Sequence, residues 1–217
     1  MGRLKLCVPI SGGGSNLQAL IDACADPTYP AEIVLVISNK PDAGGLARAE
    51  KSGIPILALN HKDYNSRAEF DQVMTYAMEE AGVELVCLAG FLRLLSEEFV
   101  NHWHNRMINI HPSLLPSFKG LHVQQAAIDY GAKFSGCTVH YVRFEMDTGP
   151  IIIQAAVPIH PDDTADTLAA RILIEEHKIY PEAVRLVAEG KVRLDGERAD
   201  IINNRPASAS IINPPLA

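Results

Sequence analysis

LKLCVPISGGGSNLQALIDACAD, Leu4 to Asp26, decides how the rest of the chain is read. Leu4 to Ile10 is a short apolar, β-branched run, and SGGG stops it. Leu17, Leu20, Ile21 and Cys24 then recur at helical spacing. The order is strand, tight glycine turn, helix. Working outward, the same alternation repeats. Glu32 to Ile37 is a second strand, and Gly45 to Ser52 a short helix closed by Gly53. Ile54 to Leu59 is a third strand with Pro55 near its start. Ser66 to Ala81 is a strong helix, capped by Asn65 or Ser66 and stopped by Gly82. Leu85 to Ala89 and Met107 to Ile110 are a fourth and a fifth strand. Near-continuously apolar strands alternating with helices predict an α/β fold, a doubly wound open sheet whose N-terminal half is parallel.

After Gly120 the pattern changes. His122 to Tyr130 is a short helix. Gly136 to Arg143 and Ile151 to Ile159 are two long strands joined by FEMDTGP, which predicts antiparallel strands added in the C-terminal half. Thr164 to Val187 is a long helix, expected to be interrupted or kinked near Pro181. LDGERA offers a DG hairpin turn, and the tail NNRPASASIINPPLA reads as irregular. No repeat or linker marks a boundary. One domain over 1–217 is expected, with an N-terminal half of about 1–106, a C-terminal half of about 107–200 and the tail.

Composition narrows the function classes. The chain has 217 residues and a formal net charge of −7. Diffuse acidity argues against holding nucleic acid by bulk phosphate attraction. An anionic ligand must then be held by local devices such as helix N-termini and a few Lys or Arg. Cys7, Cys24, Cys87 and Cys137 fit no CxxC or zinc spacing, and free thiols in a reducing compartment are expected. The N-terminus shows no apolar stretch of signal-peptide length, and no run could span a membrane, so a cytoplasmic protein is expected. His102 and His104 flank Trp103, but no HExxH or acidic partner at ligand spacing accompanies them, so no metal site is expected. The surface helices show no clear apolar stripe, which leaves both a monomer and a homodimer open.

In an open parallel sheet, ligands bind beyond the carboxyl ends of the strands. SGGGSN (Ser11–Asn16), AGFLRLLS (Ala89–Ser96) and NIHP (Asn109–Pro112) all fall there. SGGGSN is neither a P-loop nor GxGxxG, since Leu17 stands at the last glycine position. It reads as a phosphate turn at a helix N-terminus or as a tight connection with Ser15 or Asn16 as N-cap. Arg93 sits at the rim of an apolar slot or faces solvent. Asn109 and His111, two apart on a strand, point to one face. They are a pair of satisfied polar residues or two halves of a site. Asp147 bonds its own turn or meets His111, where a carboxylate would orient the ring and favour the imidazolium. Glu176 and His177 read as a solvated helix face.

Taken together and in order, SGGGSNLQALIDA, SNKPDAGGLARAE, NSRAEFD, LAGFLRLLS, NIHPSLLPSFKGLH, DTGPIIIQAAVPI and EEHKIYP resemble the phosphoribosylglycinamide formyltransferases, within the formyl-folate transferase family. The resemblance spans roughly Leu4 to Gly190. It implies formyl transfer from 10-formyltetrahydrofolate, a co-substrate, to the glycine amine of glycinamide ribonucleotide in purine biosynthesis. By the same resemblance Gly14, Ser15 and Asn16 form the phosphate turn, and Glu176 holds the substrate's amino end. Arg67 and Arg93 match positions that meet the folate's glutamate tail and pterin side. Leu92, Leu94 and Leu95 line the folate pocket together with the 142–147 loop, beginning at Val142. Asn109, His111 and Asp147 match the catalytic trio. Leu173 and Ile174 stand apolar one turn before Glu176, where the resemblance predicts more polar character.

The residue types suit that chemistry. The neutral amine attacks the formyl carbon and negative charge develops on oxygen. Asn109 can donate a hydrogen bond to it, and His111 as imidazolium can stabilise it and take part in proton transfer. Each such donor is typically worth ~3 kcal/mol of barrier. No nucleophilic side chain or metal is required, because the substrate brings its own amine. A formyltetrahydrofolate hydrolase or a sugar-nucleotide formyltransferase would use the same trio. A hydrolase needs neither the phosphate turn nor Glu176. The tRNA-specific transferases carry a further C-terminal domain and the hydrolases a further N-terminal one. A nucleotide-binding module without catalysis would need no Asn, His and Asp at one sheet edge.

Overall fold

A computed structural model describes residues 2–203 and 213. Seven strands form one sheet in the order β3-β2-β1-β4-β5-β6-β7. They are β1 (Leu4–Ile10), β2 (Ala31–Ser38), β3 (Ile56–Ala58), β4 (Leu85–Leu88), β5 (Met107–His111), β6 (Phe134–Tyr141) and β7 (Ile151–Pro158). Pairing is parallel from β3 through β5, and antiparallel where β6 joins β5 and β7 joins β6. The doubly wound sheet with antiparallel strands in the C-terminal half is therefore as the sequence predicts.

Each strand's alternation splits the core in two. Leu6, Val8 and Ile10 of β1, Leu85 and Cys87 of β4, and Ile108 and Ile110 of β5 face one side. There they meet α1 (Ser15–Ala25) through Leu17 and Leu20, and α6 (Ala165–Ala188) through Leu168, Ile172, Tyr180 and Val184. Cys7, Val86, Leu88 and Met107 face the other side, against Phe70, Met74 and Met78 of α3 (Arg67–Glu80) and Phe99 and Val100 of α4 (Glu97–His102). Asn109 and His111 share the parity of Met107. They point to the α3/α4 side, where β5 runs out of apolar partners.

Several expectations need correction. β3 has three residues rather than six. Ile54 N–H closes the preceding helix, α2 (Gly44–Lys51), on Ala49 O at 3.0 Å, and Pro55 has no N–H for the ladder. The helix at α6 is neither interrupted nor ended by Pro181. Leu168, Ile172, Ile179, Ala183 and Val184 bury one continuous stripe on both sides of the proline, which outweighs the lost hydrogen bond. Thr164 is that helix's N-cap, reciprocated by Thr167. Ser66, not Asn65, caps α3, accepting the Glu69 N–H at 3.1 Å. The hairpin β8 (Val192–Asp195) and β9 (Arg198–Ile201) turns on Gly196–Glu197 rather than on Asp195–Gly196, with Gly196 at φ 56°. Helix α4, capped by Ser96 with Glu97 and Glu98 in its first turn, is an addition. Most of the tail predicted to be irregular lies outside the described residues. No described helix is long and apolar enough to cross a membrane.

Candidate active site

The first wall of the site is the turn between β1 and α1. Gly14 is the N-cap, at φ 71° and ψ 38°, and no side chain caps the helix. Neither Ser15 nor Asn16 caps it, so the reading of this turn as an ordinary capped connection does not hold. The first-turn N–H groups stay open, and no acidic side chain occupies the turn. Gly14 must be glycine on two counts. Its φ is left-handed, and a Cβ there would stand 2.7 Å from Gly45 Cα. Gly45 N–H donates to Gly12 O at 3.0 Å, and the Arg48 side chain donates to Gly13 O at 2.7 Å. Ser11 Oγ donates to Asn39 Oδ1 at 2.6 Å and accepts the Leu92 N–H at 2.8 Å, which ties this turn to the segment after β4.

The second wall comes from α6. Glu176 is 7% exposed, not on a solvated face. Asn16 Nδ2 donates to Glu176 Oε2 at 2.6 Å, joining the glycine turn to α6. Asn16 Oδ1 is buried and has no partner among the described residues. Burial raises the Glu176 carboxyl above the ordinary glutamate range, opposed by the Asn16 hydrogen bond and the charge of His111.

The third wall is the end of β5 and the two loops over it. His111 is buried. Its Nδ1 lies 3.3 Å from Asp147 Oδ1, and its Nε2 lies 3.0 Å from Phe118 O. Both ring nitrogens face acceptors, so the doubly protonated ring satisfies both. Asp147 does not bond its own turn. Its Oδ2 accepts the Gly120 N–H at 2.7 Å, and its backbone sits at φ 51°. Antiparallel register makes this unexpected. Tyr141, the last residue of β6, pairs with Ile108 near the start of β5. The 142–150 loop must fold back over the sheet face to bring Asp147 to His111. Gly149, at φ 114° and with no room for a Cβ against Tyr141 O, makes that return.

The loop after β5 is held from beneath. Thr138 Oγ1 donates to Ser113 O at 2.7 Å and accepts the Leu115 N–H at 3.1 Å. Gln154 Nε2 donates to Leu115 O and to Thr138 Oγ1, each at 2.9 Å. Asn109 Nδ2 lies 3.4 Å from Nε2 of His140, its cross-strand partner. Thr138, His140, Gln154 and Arg48 were assigned nothing from sequence. A period-2 reading of β6 would have placed Thr138 and His140 on one face. A helical reading of α6 would have found Glu176 in the stripe of Ile172, Ile179 and Tyr180.

The remaining sequence candidates are more dispersed. Leu92, Leu94, Phe144 and Met146 are exposed apolar side chains from the two loops flanking this edge, while Leu95 and Val142 are half-buried. Arg93 lies with its guanidinium 4.6 Å over the Phe70 ring and its Nε buried without a partner among the described residues. Arg67 is exposed at the start of α3. A cleft of about 620 Å³ lies between α3 and α4, lined by Glu69, Asp71, Ser96 and His102 and by none of the trio. Among the described residues no cluster of three or more His, Cys, Asp or Glu is placed to hold a metal ion.

Comparison with known proteins fits this geometry. Residues 4–184 match the family model described as formyl transferase. The chain is 51% identical over 199 residues to the trifunctional purine biosynthetic protein adenosine-3 of Bos taurus, covering 92% of this chain and 20% of that protein. It thus spans about a fifth of the length of that relative. It is 41% identical over 202 residues to the phosphoribosylglycinamide formyltransferase of Escherichia coli strain K12, covering 90% of this chain and 95% of that one. The structure matches the crystal structure of glycinamide ribonucleotide transformylase 1 from Symbiobacterium toebii with a TM-score of 0.91. The two are 46% identical, over 93% of this chain and 95% of the other.

Proposed function

The chain belongs to the formyl transferase family, and from that premise we propose that it transfers a formyl group from 10-formyltetrahydrofolate to the glycine amine of glycinamide ribonucleotide. The observation that carries this reading is the 2.6 Å bond from Asn16 to Glu176. It sets a buried carboxylate beside an uncapped helix N-terminus. A substrate with a phosphate at one end and an amine at the other spans such a pair of anchors. A hydrolase, whose second substrate is water, has no use for either anchor.

In this reading the phosphate lies on the open N–H groups at Gly14, Ser15 and Asn16. Glu176 accepts hydrogen bonds from the amino end. The folate lies along Leu92, Arg93, Leu94, Leu95 and Val142, with Arg67 and Arg93 meeting its glutamate tail and pterin side. The amine nitrogen attacks the formyl carbon, and the bond from that carbon to the folate nitrogen breaks. The amine loses one proton and the departing folate nitrogen gains one. Asn109 donates to the formyl oxygen as charge builds there. His111 keeps Nδ1 on Asp147, exchanges the Phe118 carbonyl for the same oxygen at Nε2, and mediates the proton's passage. Asp147 holds the imidazolium in place, and Gly120 N–H holds Asp147.

The test mixes purified protein with 10-formyl folate and glycinamide ribonucleotide and follows deformylation by absorbance. A parallel tube omits the ribonucleotide. Turnover in the complete mixture alone supports the transferase. Equal turnover in both tubes makes the chain a hydrolase and removes the roles of the glycine turn and Glu176.

A further inference from the structure

His140 is used by no step above, yet it is 2% exposed and stands directly across from Asn109 in the β5–β6 ladder. A β-bulge falls at this point. Val139 pairs with Ile153 and His140 with Ile151, so Ile152 is the extra residue on β7. Bulges re-aim side chains and recur beside active sites. Here the bulge accompanies an imidazole with three contacts. Its Nδ1 lies 2.9 Å from Tyr141 O and 3.1 Å from Thr148 O, and its Nε2 lies 3.4 Å from Asn109 Nδ2.

Carbonyl oxygens only accept, so Nδ1 carries the proton. Nε2 then presents a lone pair. An Asn109 turned with Oδ1 toward it would set two lone pairs face to face. Turned with Nδ2 toward it, the amide donates one N–H to His140 and keeps the second N–H free. Resting on the transferase reading, we propose that His140 is a positioning residue. Its Nδ1–H tautomer fixes the orientation of the Asn109 amide and ties that amide to the loop carrying Asp147. Thr148, which receives the Nδ1 proton, is the next residue after Asp147. One imidazole therefore holds both the donor on β5 and the return of the 142–150 loop. Burial keeps the ring below the ordinary histidine range, which keeps Nε2 an acceptor, although the Tyr141 carbonyl and the Asp147 charge pull the other way. The positive charge of His111 acts in the same direction as burial.

Two variants separate the two ends of the ring. His140→Gln places an amide near the Nε2 position and retains an acceptor for Asn109, while giving up the Nδ1 bonds. His140→Asn places an amide near Nδ1 and keeps the tie to Thr148, but leaves Asn109 nothing to donate to. A mispointed oxyanion donor costs about 100-fold. The Asn variant should therefore lose about 30- to 100-fold in kcat, with both KM values within about twofold. The Gln variant should stay within about fivefold of the parent. Equal kcat for the two variants, or a loss carried by KM, would overturn the proposal. A second measurement needs neither turnover nor a variant. Long-range 15N–1H correlation on the unliganded protein should show His140 as the Nδ1–H tautomer, with the Asn109 side-chain NH2 resolved and slowly rotating. Finding the Nε2–H tautomer would sink the idea. Because this spectrum uses no substrate, it stands even if the protein fails to formylate glycinamide ribonucleotide, and the two failures stay distinct.

Discussion

Around Gly14 the functional atoms are backbone N–H groups, and around His111 they are side-chain nitrogens and oxygens. The glycine turn needs the absence of side chains. A Cβ at Gly14 would stand 2.7 Å from Gly45 Cα, and one at Gly45 would stand 2.5 Å from Ile10 Cδ1. The edge at β5 needs particular side chains, each fixed by a neighbour: His111 by Asp147 and Phe118, Asp147 by Gly120, Asn109 by His140. The first should be broken by adding a methyl group, the second by exchanging a functional group of equal size. Damage to the first should appear in binding, and damage to the second in the chemical step.

The sharpest contrast comes from Asp147→Asn. The substitution keeps volume but cannot satisfy both neighbours. One amide end must face either Gly120 N–H or His111, and in either case a donor meets a donor. With the carboxylate gone, the imidazolium loses its counter-charge. We expect kcat to fall by about 10³-fold, the scale of a lost general acid–base or oxyanion group. KM for the ribonucleotide should stay within a few-fold. A KM effect that outweighs the kcat effect would mean that Asp147 binds substrate rather than serving His111.

Gly14→Ala asks the converse question. Left-handed strain costs about 1–3 kcal/mol, and the added methyl group pushes on α2 at Gly45. We expect KM for the ribonucleotide to rise about 10- to 100-fold, since about 1.4 kcal/mol is one factor of ten. Single-turnover kcat should change less than threefold. Inorganic phosphate, as a competitive inhibitor, should weaken in parallel. If kcat collapses while phosphate inhibition is unchanged, the turn is not the phosphate site.

Between the two regions lies Ser11, whose hydroxyl bridges Asn39 Oδ1 and Leu92 N–H. Ser11→Ala orphans the buried Asn39 Oδ1 and frees the part-buried Leu92 N–H to solvent, and the buried group left unsatisfied costs about 1–3 kcal/mol. Stability should fall by that amount in denaturant unfolding. KM should rise for both substrates, since the glycine turn and the Leu92 segment lose their common tie. A rise for one substrate only would show that the two segments are held independently.

The two regions also differ in how much of each could be read beforehand. The glycine turn and its helix are local in sequence, and apolar periodicity with SGGG gives the whole unit. The trio is legible as residue types at the sheet edge. Its assembly is not, because Asp147 reaches His111 only through a loop that doubles back over the face from a strand ending level with Ile108. His140 was invisible because its partner is set by cross-strand register and a bulge, and neither leaves a trace in the alternation of a single strand. Pro181 misled for a related reason. A proline's local penalty is visible in sequence, whereas the buried stripe that overrides it belongs to the packed structure. IEEHK reads as polar, yet Glu176 occupies a core position of α6 between Ile172 and Ile179.

That buried carboxylate offers the smallest and most discriminating effect. Glu176 holds its proton to higher pH in the folded chain than in the unfolded chain, chiefly because burial penalises the charge. The folded state then binds more protons, so stability falls as pH rises above the ordinary glutamate value of about 4.3. Below that value both states are protonated and the penalty vanishes. Glu176→Gln removes the charge and keeps an oxygen to accept from Asn16 Nδ2. The variant and the parent should melt together near pH 4. By pH 8 the variant should melt higher by about 2–4 °C, the scale of 1 kcal/mol in a chain of this length. A gap that is constant with pH would assign the difference to packing. A gap in the parent's favour at pH 8 would mean that the carboxylate is stabilised where it stands. The first region would then hold an anchoring charge at no cost to folding, unlike the glycine turn beside it, whose strained geometry is fixed in the backbone.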